Sequence, residues 1–181
     1  MNPSDIQERA ARVKLLLMDC DGVLTDGRIW VFEGGDDQKA FHTHDGLGID
    51  LLHKAGLRSG VISGRNSTAL ARRAEWLKMA FVRQGCADKQ DAFAEILTQA
   101  GVTYAEVAFV GDDLNDTPLM IQSGLGVAVA DATQEARDCA HYVTHAPGGY
   151  GALREVIELI LKAQGRWSAL LRDYHPRTHA D

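Results

Sequence analysis

Several things are scarce in this 181-residue sequence. Cysteine appears three times, at Cys20, Cys86 and Cys139. An odd number of widely spaced thiols suits reduced side chains and excludes a disulfide framework. There is no excess of positive charge. The net charge is -6, so the basic face of a nucleic-acid binder is missing and no nucleic-acid partner is expected. No apolar run approaches the roughly 18 residues that would cross a bilayer. The opening MNPSDIQERAARVK has no apolar signal core, so no membrane partner is expected and the expected address is cytoplasmic. Repeats, linkers and biased segments are also absent, and the length suits one domain over 1–181.

What is present is alternation. Short apolar, β-rich runs predict strands at Val13–Met18, Arg58–Ser63, Met79–Arg83, Val107–Val110, Val127–Ala130 and Tyr142–Thr144. Segments of helical period between them predict helices at Leu47–Ala55, Ser67–Leu77, Lys89–Ala100, Thr117–Ser123, Thr133–Cys139 and Gly151–Gln164. Strands and helices in turn imply an α/β fold with a parallel sheet. Runs such as LLLM and VAFV are apolar throughout, which calls for helices on both faces. One segment departs from this, GRIWVFEGGDDQKAFHTHDG. Its runs Arg28–Phe32 and Lys39–Thr43 flank EGGDDQ, whose glycines and aspartates are turn formers, predicting a protruding β-hairpin over about 27–44. Both faces of its first strand are apolar, so the ribbon needs cover, and other subunits would supply it.

Charge is placed oddly. Asp19 and Asp21 directly follow the first strand and repel each other unless a cation lies between them. Residues two apart in an extended chain face one side, so both carboxylates open onto one crevice while Cys20 turns into the core. A second acidic cluster, Gly111-Asp112-Asp113-Leu114-Asn115-Asp116, follows the fourth strand. It has neither the glycine nor the terminal glutamate of an EF-hand. Together the clusters fit one Mg²⁺, which favours a few carboxylates plus water and phosphate oxygens. Ser63-Gly64-Arg65 ends the second strand with a hydroxyl, a close-approaching amide and a cation, all suited to an oxyanion. Lys89 sits in the first turn of a helix capped by Asp88, where the helix dipole disfavours a cation.

The order DxDGVLTDG, SGR, DK, GDDxxD resembles the haloacid dehalogenase (HAD) superfamily of phosphotransferases. FHTHDGLGI and HYVTHAPGGYGALRE extend the resemblance over nearly the whole chain, to its 3-deoxy-D-manno-octulosonate 8-phosphate (KDO 8-P) phosphatase family. That resemblance implies a Rossmann-like core without a cap domain and a homotetramer assembled through the hairpins. It implies Mg²⁺, with Co²⁺ or Mn²⁺ as substitutes, held by the Asp19 side chain, the Asp21 carbonyl and Asp112. Asp19 would be the nucleophile and Asp21 the acid and then the base. Ser63 and Lys89 would contact the phosphoryl group. Asp113 and Asp116 would act from behind, Asp116 by orienting Lys89 or a metal-bound water. Substrate contacts would come from His42, Thr43, His44, Asp45 and Gly46, from Gly64 and Arg65, and from Arg73. Arg154, ahead of a tail over about 165–181, would reach a neighbouring active site.

The substrate implied is a sugar acid phosphate in lipopolysaccharide precursor synthesis. Asp50 replaces a basic residue usual in such relatives, which keeps a 3-deoxy-nonulosonate 9-phosphate as an alternative. A HAD fold used only for assembly is another. A receiver domain is excluded by order, because its lysine follows all of its acids. His42 and His44, on one strand face, lack a third ligand for a second metal.

Overall fold

The computed structural model describes residues 3–33, 38–172 and 174. The first strand, β1 (Leu15–Met18), is buried along its whole length. On one side it pairs in parallel with β2 (Arg58–Ile62), and on the other with β4 (Val107–Gly111). The six-stranded sheet is completed by β3 (Phe81–Arg83), β5 (Leu125–Ala128) and β6 (Tyr142–Val143), in the order β3-β2-β1-β4-β5-β6. Every pairing is parallel. This is the predicted α/β class.

The connections follow from handedness. Right-handed crossovers place α2 (Thr43–Lys54) and α3 (Thr68–Trp76) on one face as the chain steps from β1 to β3. The chain then reverses, and α4 (Lys89–Ala100), α5 (Thr117–Gln122) and α6 (Gln134–Cys139) cover the other face. Helices α1 (Pro3–Arg12) and α7 (Ala152–Ala163) pack together beside α2, and a short α8 (Trp167–Leu171) follows. Local chemistry sets the ends: Ser67 caps α3 by accepting from the Leu70 amide, and Asp88 caps α4 by accepting from the Gln90 amide. Such caps are worth about 1 kcal/mol each. Helix α4 stops at Gly101, which takes the left-handed conformation (φ 64°) suited to glycine.

Several boundaries differ from expectation. Helix α1 was not expected, its polar sequence masking the face that buries Ala10. Strand β5 begins two residues earlier than predicted, running through Gly126. A side chain there would meet the Met120 carbonyl oxygen at 2.3 Å, so this glycine serves close packing and does not break the strand. Helix α8 lies within the expected tail over about 165–181.

The hairpin is reduced to one antiparallel bridge, Trp30 to Gln38. None of the predicted return strand, Lys39–Thr43, is strand. Thr43 and His44 are helical, because His42 caps α2 with its ring accepting from the His44 amide at 3.3 Å. The two histidines therefore share no strand face. The Gly34-Gly35-Asp36-Asp37 turn and the end of the tail, 175–181, lie outside the described residues. Among the described residues no helix is long and apolar enough to cross a membrane.

Candidate active site

The reversal of direction falls between β1 and β4. In an open α/β sheet the crevice beyond the carboxyl ends of such neighbouring strands is where ligands bind. Met18 lies opposite Val110, so the residues that follow, Asp19 on one strand and Gly111-Asp112 on the other, emerge side by side. Sheet topology thus brings together acids that are 93 residues apart in number. Ser63 emerges from β2, the other neighbour of β1. A cavity of about 140 Å³ at these strand ends is lined by Asp19, Asp21, Ser63, Lys89 and Asp112, with Gly64, Arg65 and Asp113 at its edges.

The turn after β1 is built from its own sequence. The Thr25 hydroxyl donates to the Cys20 carbonyl and accepts from the Gly27 amide at 3.2 Å. Gly22 has φ 100°, and a side chain there would run into the Asp112 carboxylate at 2.0 Å. On the other side, a side chain at Gly148 would reach the Gly22 carbonyl oxygen at 1.7 Å. The glycines of DGVLTDG and PGGYG therefore interlock, backbone on backbone, beneath Asp112. Cys20 is buried, as expected.

Lys89 spans two acids. Its Nζ lies 2.7 Å from Asp19 Oδ1 and 2.8 Å from Asp116 Oδ1. Asp116 uses its other oxygen to accept from the Asp112 amide at 3.1 Å. Burial disfavours the lysine charge, but Asp19 and Asp116 outweigh it and hold the ammonium above its ordinary range. Burial pushes Asp19 up to about 6, with Asp116 adding and Lys89 opposing. Burial likewise pushes Asp112 up to about 8, with Asp19, Asp116 and Asp113 adding. One lysine is too little for this cluster.

The donor set fits a hard divalent cation. Ligand atoms of Asp19, Asp112 and Asp116 lie within 4.8 Å of one another. Asp112 Oδ1 is buried with no hydrogen-bond partner in the protein, a state that is costly unless a cation satisfies it. Both oxygens of Asp116 are already engaged, which leaves Asp19 and Asp112 as the available carboxylates.

Stability in the absence of divalent ions should follow from these carboxyls. Both are raised above an ordinary 3.8, so the folded state holds protons that the unfolded chain has lost. That stabilisation is complete below about pH 4 and is lost as pH rises through about 6 and then 8. The melting temperature of the chelated protein is expected to fall across this window, and saturating Mg²⁺ should flatten the fall. The Asp112→Asn variant should show a shallower slope without metal. An equal slope in both proteins would contradict this origin.

The remaining expected residues are distributed. Arg65 is half-exposed at the rim, its Nε 3.9 Å from Asp21 Oδ2. His42 lines a separate crevice with Phe41 and Tyr150. Asp45 is only 1% exposed and lies outside the cavity: its carboxylate accepts from the Gly151 and Arg154 amides at 3.2 and 2.8 Å, capping α7. Thr43 and His44 are exposed on the first turn of α2. Gly46 makes room for Arg73, whose NH2 a side chain would meet at 2.4 Å. The Arg73 guanidinium sits over the Phe41 ring at 5.5 Å. Arg154 pairs with Glu158 at 2.9 Å. Asp50 pairs with Lys54 at 3.0 Å on the exposed side of α2, away from the cavity.

One residue was not anticipated. Lys39, from the hairpin, pairs with Asp21 Oδ1. It was expected only as the start of the hairpin's return strand, and no spacing rule links it to an acid 18 residues earlier.

Comparison with known proteins agrees with this geometry. Residues 61–151 match the family model for haloacid dehalogenase-like hydrolases. The chain is 44% identical to the KDO 8-P phosphatase of Yersinia pestis, over 90% of this chain and 87% of that protein. It is 40% identical to that of Escherichia coli K12, over the same shares. The crystal structure of the Moraxella catarrhalis enzyme, in complex with magnesium, phosphate and KDO, superimposes with a TM-score of 0.93 at 36% identity, covering 96% of this chain and all of that one. A cobalt-bound Haemophilus influenzae phosphatase superimposes with a TM-score of 0.86 at 38% identity, covering 89% and 94%. With carboxylates, lysine and serine at the switch point and this similarity along the chain, the protein belongs to the KDO 8-P phosphatase family of the haloacid dehalogenase-like hydrolases.

Proposed function

We propose that the protein is a Mg²⁺-dependent phosphomonoesterase that hydrolyses KDO 8-P to KDO and inorganic phosphate, in the cytoplasm, for lipopolysaccharide precursor synthesis. The observation that carries this is the meeting of Asp19, Asp112 and Lys89 at the switch point, in a chain 44% identical to a protein of that activity. Asp19 attacks phosphorus, forming an acyl phosphate as the bond to the sugar oxygen breaks. Asp21 gives that oxygen its proton. Water then attacks the same phosphorus, Asp21 takes up the water proton, and Asp19 is freed with its carboxylate restored.

Lys89 neutralises Asp19 and the transferring group, and the Ser63 hydroxyl and Gly64 amide donate to its oxygens. Asp116 holds Lys89 in place. The Asp19 and Asp112 carboxylates and the Asp21 carbonyl would hold the metal, which supplies charge stabilisation for the phosphoryl group in flight. Arg65 offers a guanidinium fork to the sugar acid, with Arg73 and the 42–46 segment farther out.

The test is a panel of phosphate esters with and without chelator. KDO 8-P is expected to exceed neutral hexose phosphates by at least about tenfold in kcat/KM, about 1.4 kcal/mol of transition-state discrimination. Chelation should abolish both. Preference for a 3-deoxy-nonulosonate 9-phosphate would retain the mechanism and move the substrate. A wide preference for hexose phosphates would remove the sugar acid assignment.

The assembly we infer is a homotetramer joined through the hairpins. Trp30 is 57% exposed and Val31 84% exposed, beside exposed Ile29 and Phe32. Four contiguous apolar side chains on a ribbon call for cover. Light scattering at micromolar concentration should give four times the chain mass, and a monomer there would end this reading.

A further inference from the structure

Two lysines pair with acids in or beside the cavity. Lys89 takes Asp19 and Asp116, and Lys39 takes Asp21. Both lysine side chains are only 2% exposed. A cation that far from water is expensive unless its partner is fixed and close, so Lys39 is not an ordinary hairpin lysine that happens to meet an acid. It engages Oδ1 of Asp21, while Oδ2 points toward Arg65 on the rim. The Asp21 side chain is accordingly absent from the group of carboxylates close enough to share a cation. Asp21 lines the cavity and Lys39 does not.

We propose that Lys39 is a positioning residue: it pins one oxygen of Asp21, keeps that carboxylate out of the metal cluster and presents its other oxygen to the leaving group. This rests on the phosphatase reading above. It also gives the hairpin a task inside its own protomer. Lys39 directly follows Gln38, whose bridge to Trp30 closes the ribbon. That bridge fixes where the chain returns, one residue before Lys39 meets Asp21.

Leaving-group chemistry provides the test. A sugar phosphate expels an alkoxide that needs a proton, whereas an aryl phosphate expels a stable phenolate that scarcely does. Initial rates of the parent, Lys39→Met and Lys39→Arg proteins would be measured on KDO 8-P and p-nitrophenyl phosphate at saturating Mg²⁺. Lys39→Met is expected to lower kcat about 50-fold on the sugar phosphate and about threefold on the aryl phosphate, less than the roughly hundredfold or more that losing a general acid outright costs. KM should shift little. Lys39→Arg, which keeps the cation, should recover most of the sugar phosphate rate.

Equal losses on both esters, or a loss confined to KM, would overturn the proposal while the phosphatase reading stands. A parent protein that released phosphate from neither ester would overturn both.

Discussion

Asp19→Asn should abolish phosphate release, by about a thousandfold or more, and leave the fold intact. The exchange keeps the side chain's shape and removes the carboxylate proposed to attack phosphorus. A nucleophile differs from a supporting group because no neighbour can take over its bond-forming step. The candidates nearby are already committed: Asp116 is buried with both oxygens engaged, and Asp21 is paired with Lys39. The stability change should be small and of unexpected sign. Burial and Asp116 oppose ionisation of Asp19, so at pH 8 without divalent ions the variant should melt at or above the parent temperature. Activity by phosphate assay and stability by thermal melt separate the two effects. Undiminished hydrolysis would dismiss Asp19 as nucleophile, and collapse of the fold would mean that the acid was structural.

Lys89→Met should damage both properties. Lys89 is the cation between Asp19 and Asp116, and all three side chains are largely or wholly buried. Removing one partner of a buried ion pair leaves uncompensated charge, at about 3–5 kcal/mol. The metal-free variant should therefore melt well below the parent. Mg²⁺ should restore part of that loss by drawing on Asp19, but not the activity, if Lys89 is the cation proposed to face the transferring group. Adding Asp116→Asn should recover roughly half of the stability, because neighbours in one network are not additive. A Lys89→Met protein as stable as the parent without metal would mean that the acids are already protonated and that the lysine neutralises nothing.

How much of this could be read beforehand depends on how local the cause was. The sheet was legible because LLLM and VAFV are apolar on every residue, which fits only a strand covered on both faces. Asp19, Asp21 and Asp112 were legible because three acids at the ends of buried strands are costly without a cation. Lys89 became legible only by its place in the order of motifs, since one lysine at a helix start is ordinarily solvated. Asp45 was expected as a substrate contact only because the resemblance implied it. Its partners are amides 106 and 109 residues later, and no local pattern carries that. Thr43 closed the expected return strand of the hairpin, but the ring of His42 offered a cap and the helix won. Lys39 was hidden for the same reason as Asp45: its partner is set by how the ribbon folds back.

The central place of β1 has a consequence during synthesis. One of its two neighbours, β4, begins at Val107, so nearly ninety residues must leave the ribosome after Met18 before that flank closes. At about 5–20 residues per second the wait lasts roughly 4 to 18 seconds. Through that time a wholly apolar strand offers a bare hydrogen-bonding edge, the kind of template that recruits other nascent chains. A chain released early, short of β4, would carry Asp19 on that sticky border with no Asp112 beside it to receive an ion. Truncated translation products should therefore be a burden to the cell's chaperones rather than a source of weak enzyme.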